Sequence, residues 1–307
     1  MTTTETIRLL LQLSGFTQTK LAEELGVTFV AFNRWLNGKA LPRPGARARI
    51  NALYQQYCGE SAVPEEISSA KKGFLERARK SHSNVIKKIL AAPDIRDEFL
   101  LALTYNSNRI EGSRLTKGDT AAILFHNSVL PNRTLVEQLE AKNHQTALEY
   151  LFKHAIKHTP LNEGFILKLH GILVNSIRED AGVYRNHGVR IVGAYVPTAN
   201  ALKVPQRMKE LIRDLHSRSH DPIAQAAKIH AQFEQIHPFS DGNGRVGRLL
   251  LHAMFLRANY PPAVIRQERK RFYLHALNRA QLHGDFGELE NVLYDAVLEG
   301  YRVLERR

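Results

Sequence analysis

The chain has 307 residues and a formal charge of +13, from 43 Lys and Arg against 30 Asp and Glu. That length suits two domains, one small and one with a substantial core, and the basic balance suits nucleic acid, nucleotides or acidic partners without choosing among them. A single cysteine, Cys58, excludes an internal disulfide, and no run is apolar and long enough to span a membrane.

The sequence opens on Thr2 to Thr4, without the basic start and apolar run of a secretory signal, so a cytoplasmic location with no membrane partner is expected. Thr17 to Val27 reads as an amphipathic helix ended by Gly26, and Thr28 to Asn37 as a second helix ended by Gly38, with Phe32 and Trp35 as apolar anchors. Two short helices about a Gly-containing turn, with Leu21, Ala22, Leu25, Val27 and Phe32 inward, fit a helix-turn-helix. Residues 4 to 57 resemble the Cro/repressor type of DNA-binding domain. On that resemblance Thr28, Phe29, Asn33, Arg34 and Lys39 lie on or beside the recognition helix, and Gln18 and Lys20 contact phosphate. A helical cap or protein-docking module with the same packing pattern is the competing reading, because Phe29 and Ala31 are unusual readers of bases.

Domain boundaries are expected at 1–58 for this module, 59–70 for a linker holding Pro64 and two serines, and 71–307 for the larger domain. The basic run Lys71, Lys72, Arg77, Arg79, Lys80, Lys87 and Lys88 reads as a solvated helix face or as an extension of a DNA footprint. Farther on, Ser107 and Glu111 stand at i, i+4 before Gly112, on one face of a helix near 105–112. The pairs His154/His158 and His216/His220 share that spacing but lack a carboxylate or Cys partner, so zinc is not expected.

Residues 186 to 205 carry short β-prone runs, with Val189, Ile191, Val192, Tyr195 and Val196 about Gly193, and read as a hairpin. The segment His237-Pro238-Phe239-Ser240-Asp241-Gly242-Asn243-Gly244-Arg245-Val246-Gly247-Arg248 then concentrates the chemistry. Gly242, Asn243 and Gly244 tolerate positive φ, so their backbone N–H groups are expected to converge as an anion-binding nest. The helical spacing of Val246, Leu249, Leu250, Leu251, Met254 and Phe255 sets that nest at a helix N-terminus, where the dipole also favours phosphate. Arg245 and Arg248 are both expected to reach the polyanion. Asp241 has the chemistry for Mg²⁺, and His237 can take a proton from a hydroxyl.

This segment resembles the Fic family signature, His-Pro-Phe-x-Asp/Glu-Gly-Asn-Gly-Arg-x-x-Arg, at every specified position. Leu167 to His170 with Gly182 to Arg185 resembles the helix and the start of the flap in that family. Tyr273, Ala276, Leu277 and the Gly284-Asp285 turn resemble the helices that close its nucleotide pocket, so the similar segments cover about residues 95 to 300. The resemblance implies a mainly α protein, a helix-turn-helix followed by an all-helical Fic fold with a short β-hairpin flap. It implies transfer of AMP from ATP to a Ser, Thr or Tyr hydroxyl of a protein target or of the chain itself. In that scheme His237 is the base, Asp241 holds Mg²⁺, and Gly242, Asn243 and Gly244 cradle phosphates. Arg245 and Arg248 bind the outer phosphates, Tyr273 lines the base pocket, and Ile191, Val192 and Gly193 on the flap dock the target. Ser107-Asn108-Arg109-Ile110-Glu111-Gly112 resembles the family's inhibitory motif, with Glu111 taking the arginine that ATP needs. A DNA partner for the N-terminal module, a homodimer on two half-sites, a transcriptional regulator using the site as a nucleotide sensor, and removal of AMP at the same site remain as further expectations. The target, the DNA operator and the preferred base are not legible in the residues.

Overall fold

The computed structural model describes residues 3–58, 65–190 and 196–306. Among them every regular element is helical, and there is no strand.

The first unit is built from α1 (Thr3–Ser14), α2 (Gln18–Glu24), α3 (Phe29–Leu36) and α4 (Pro44–Cys58). Thr17 and Thr28 cap α2 and α3 by accepting from the amides of Lys20 and Ala31, at 3.1 and 3.3 Å. Gly26, at φ +62°, supplies the left-handed turn between the two helices. Ile7, Leu10, Leu21, Leu25, Phe32, Trp35 and Ile50 close a small separate core, and Arg49 Nε donates to the Leu25 carbonyl across it at 2.8 Å. This unit rests α1 and α4 on the Lys270–His283 helix of the second unit, α14.

The second unit begins with α5 (Glu65–Ser81), so Glu65 to Ala70, within the stretch expected as linker, are helical; residues 59–64 lie outside the described residues. The basic run on α5 is not a free face throughout. Lys71 pairs with Asp295 at 2.8 Å, Lys72 pairs with Asp221 at 2.7 Å, and the Arg79 guanidinium lies 5.4 Å from the Tyr260 ring. Then follow α6 (Val85–Ala91), α7 (Pro93–Glu111), α8 (Lys117–His126), α9 (Leu135–Ile156), α10 (Glu163–Leu173), α11 (Val204–Leu215), α12 (Pro222–Ile236), α13 (Asn243–Arg257), α14 (Lys270–His283) and α15 (Gly287–Leu304). The hub is α13. Its residues are buried almost all round, against α12, α9, α10 and α7, and the burial includes the polar row Arg245, Arg248 and His252. Its N-terminus, where the unpaired amides are, is therefore held by four neighbours.

Of the expected flap, Ile191, Val192, Gly193 and Tyr195 lie outside the described residues. The described legs, 186–190 and 196–200, have no regular secondary structure, and a 3₁₀ turn at Ala201–Lys203 leads into α11. Thr198 Oγ1 donates to the Val189 carbonyl at 2.9 Å, tying one leg to the other.

Candidate active site

α12 ends at His237, which is left-handed at φ +51°, ψ +62°, before Pro238, a residue that cannot continue the helix. Left-handed backbone at a non-Gly residue is uncommon and gathers at functional sites. The turn swings the imidazole out of the helix, and its Nδ1 lies 3.1 Å from the Glu234 carbonyl. A carbonyl only accepts, so Nδ1 carries the proton and Nε2 keeps its lone pair. Burial lowers the His237 pKa from its ordinary value, the Glu234 carbonyl opposes that, and the nearby Arg185 charge adds to it. The ring is thus mainly neutral at pH 7.

Phe239 anchors the loop in the core and stacks on His170, centroids 3.8 Å apart at 9°. Asn243 brackets the same residue, accepting from the Phe239 amide and donating to its carbonyl, both at 2.9 Å. The Gly182 amide donates to His170 Nδ1 at 2.9 Å, which leaves Nε2–H to donate to the Asp241 carbonyl at 3.2 Å. Burial pushes the His170 pKa down to about 4, so this link is a neutral one.

The expected nest takes a different form. Only Gly242 is left-handed, at φ +76°, while Asn243 and Gly244 are the first residues of α13. Their amides aim off the helix end because first-turn amides have no partner within the helix, so the anion site is a helix N-terminus with one left-handed cap. The Asn243 side chain is spent on the loop.

The two arginines also part company. Arg245, 4% exposed at its side chain, pairs with Glu140 on α9 at 2.6 Å and with Asp241 at 3.5 Å, and does not join Arg248 at one anion. Carboxylates on different helices draw the two side chains apart, although both leave the same turn. Arg248 donates from Nε to Ser107 Oγ at 2.9 Å, and from Nη2 to the Ser107 carbonyl at 3.2 Å and to Glu111 Oε1 at 2.6 Å. Desolvation would raise the Glu111 carboxyl, yet Arg248, with Arg245 and Lys270, holds it below the usual range. Glu111 stands at the mouth of the site, 39% exposed, above an Arg248 that is 3% exposed. A Cβ on Gly244 would overlap the Glu111 carboxylate and come within 3.1 Å of Arg248 Nη1, so this glycine makes room for the ion pair.

Tyr273 is 1% exposed and lines no open pocket. Its hydroxyl meets His230 Nε2 at 2.6 Å beneath Arg248, because α14 turns that face toward α12. Glu234 is buried beside His230 against Gly247, and its carboxyl is pushed up to about 8 by burial, lowered in part by Arg248 and raised by Glu111. Four residues given no role from sequence therefore shape the site: Glu140, His170, Arg185 and Glu234. His170 left one signal, a polar residue on the apolar face Phe165, Ile166, Leu169 and Leu173. Arg185 stood in the Gly182 to Arg185 segment that resembles the start of the flap, and Glu140 and Glu234 left none.

In the first unit Gln18, Thr28, Arg34 and Lys39 are exposed and Asn33 is half-buried. The Thr28 hydroxyl is used as a cap, Asn33 Oδ1 accepts from Asn37 at 2.9 Å, and Lys20 pairs with Glu24 at 3.3 Å.

Residues 160–255 match the sequence model of the Fic/DOC family. The chain carries a Fic/DOC domain. Outside it, and upstream, lie Ser107 and Glu111. The chain is 31% identical over 212 residues to a protein adenylyltransferase fic-1 of Caenorhabditis briggsae, covering 67% of this chain and 40% of that protein. It is 30% identical over 178 residues to a protein adenylyltransferase Fic of Drosophila virilis, covering 57% and 37%. It thus spans less than half the length of these curated relatives. A Fic domain-containing signaling protein from Bacteroides thetaiotaomicron superposes with a TM-score of 0.61 at 26% identity, over 72% of this chain and 98% of that one. Residues 134–508 of Caenorhabditis elegans Fic-1 share the fold, with a TM-score of 0.67 at 24% identity over 93% of this chain and 84% of that one. Among the described residues of this Fic-domain protein, no helix is long and apolar enough to cross a membrane.

Proposed function

We propose that the protein transfers AMP from ATP to a hydroxyl side chain of a protein, its own or another's, and that Glu111 holds the site closed. The observation that carries this reading is the Arg248–Glu111 pair at the N-terminus of α13: a carboxylate occupies the cation that the outer phosphates of a nucleotide need. His237 Nε2 accepts the hydroxyl proton as the oxygen bonds to the α-phosphorus, the bond to the β-phosphate oxygen breaks, and pyrophosphate leaves. The amides of Asn243, Gly244 and Arg245 stabilise the charge on the phosphates, and Arg248 joins them once Glu111 withdraws. Ser107 keeps Arg248 in place through two hydrogen bonds.

The residues present fit Mg²⁺. The Asp241 side chain is 54% exposed, and a single accessible carboxylate suits an ion that draws most of its ligands from phosphate and water. Mg²⁺ on Asp241 would neutralise charge on the phosphates during transfer. The flap, with Ile191, Val192 and Gly193, is proposed to receive the target segment by strand addition beside His237.

For the first unit we propose DNA binding, supported by two capped helices about a left-handed Gly26 and by exposed Arg34 and Lys39 on or just after α3. A repressor-type module works on two half-sites, so a homodimer accompanies this reading. The protein would then act in the cytoplasm.

The test is labelling with α-phosphate-labelled ATP and Mg²⁺, comparing Glu111→Gly with the same variant carrying His237→Ala. Label on the first and none on the second supports the reading. Label on neither, with a cell lysate present, rejects it.

A further inference from the structure

Arg185 is 4% exposed, and the side-chain hydrogen bonds it donates all go to backbone carbonyls. Nε donates to the His237 carbonyl at 2.7 Å, Nη1 to that of His187 at 2.6 Å, and Nη2 to those of Ala199 at 2.6 Å and Ile236 at 3.3 Å. Its own amide donates to the Pro238 carbonyl at 3.0 Å. These acceptors come from three pieces of chain: the last turn of α12 with the His237 turn, the leg that precedes the flap, and the leg that follows it. Burying a cation without a carboxylate is costly unless its donors are satisfied, and here all three donor groups of a planar fork are used. The two acceptors at the end of α12 also carry the negative end of the helix dipole.

We propose that Arg185 is a positioning residue that clasps both legs of the 186–200 segment onto the backbone of the His237 turn, and so sets where a docked target lies relative to Nε2. One side chain thereby ties the segment proposed to hold the target to the segment that holds the base. The effect on transfer rests on the proposed function, and the clasp on geometry alone. Lysine keeps the charge, but its ammonium is a single point and cannot reach carbonyls on three segments.

The experiment places Arg185→Lys in the Glu111→Gly background. ATP binds at the N-terminus of α13, which Arg185 does not touch, so KM for ATP is expected to stay within about twofold. The labelling rate at saturating ATP is expected to fall roughly tenfold to a hundredfold, the usual consequence of misplacing reacting groups by about an ångström. Amide exchange is read in parallel: residues 186–190 and 196–200 should exchange faster while α13 keeps its protection. An unchanged labelling rate overturns the proposal, as does a loss carried by KM for ATP. If Glu111→Gly alone takes no label, the transfer reading has failed, and unchanged exchange in the two legs would then reject the clasp by itself. Should Arg185→Lys not fold, Arg185→Gln, neutral and able to donate to only two carbonyls, is read the same way.

Discussion

Glu111 and Arg248 stand 137 residues apart in sequence and meet at 2.6 Å, the carboxylate at the mouth of the site and the guanidinium at its floor. On the proposed reading an anion already sits where a phosphate would gain most, and ATP would have to displace it. Glu111→Gly is expected to bind ATP roughly tenfold tighter or more by calorimetry, since the cost of breaking the pair is removed. Arg248 holds the Glu111 carboxyl below its ordinary range, so the ion pair is fully formed above the unperturbed carboxylate value and is lost only as pH falls through the lowered one. The ratio of the two affinities should therefore stay constant from pH 8 to pH 5. A ratio that collapses by pH 5, or equal affinities throughout, sinks the idea.

Arg245 depends on Glu140 in a different way. Its side chain is 4% exposed and its main partner comes from α9, so Glu140→Ala leaves a buried guanidinium with only a 3.5 Å contact to Asp241. The expected loss is about 3 kcal/mol in urea denaturation, and Glu140→Leu with Arg245→Met should restore most of it. A loss below about 0.5 kcal/mol for Glu140→Ala would place Arg245 in water, against the geometry.

Glu234 gives the protein a pH signature. Its carboxyl titrates at about 8 when folded against 4.5 unperturbed, because burial disfavours the charged form. Between those values the folded state holds a proton that the unfolded state has lost, so this group's contribution is full below pH 4.5 and is lost as pH rises toward 8. The slope between the two values approaches about 1.4 kcal/mol per pH unit. Buried His170 works in the opposite sense, losing stability as pH falls from 6.5 toward about 4, and cancels when variants are compared. Glu234→Gln carries no such proton. Its stability relative to the parent chain should climb steadily from pH 5 to pH 8, and a constant difference would show that the carboxyl is ionised in the folded state.

The parts of this site written in local order were legible in the sequence. His237 to Arg248 declares a turn and a helix start because each depends on neighbours within one turn. The spacing of Ser107 and Glu111 likewise puts both on one helical face, and both reach Arg248. What was not legible was set by tertiary partners. Asn243 and Gly244 were expected in the left-handed region, but continuing α13 back to Asn243 satisfies the loop through Phe239 instead. Arg245 is turned by Glu140, 105 residues upstream, and Tyr273 is drawn inward to His230. No periodicity announces such pairings. Arg185 is the extreme case, since its acceptors are backbone carbonyls and leave no trace in side-chain pattern at all.

The first unit offers the remaining prediction. If it binds DNA, Arg34 and Lys39, both exposed, contribute through phosphate neutralisation, whereas Lys20 is already paired with Glu24. Each of Arg34→Ala and Lys39→Ala should weaken binding to unrelated duplexes alike and lower the slope of log affinity against log salt by about 0.9. Lys20→Ala, whose charge is offset by its own helix, should change the slope far less. Phe29 and Val30 are 46% and 70% exposed on the same helix, an arrangement that also suits a protein-docking face. Fluorescence anisotropy on the full chain between 50 and 200 mM salt separates the two: a slope near zero for the parent protein would assign α3 to a protein partner instead of DNA.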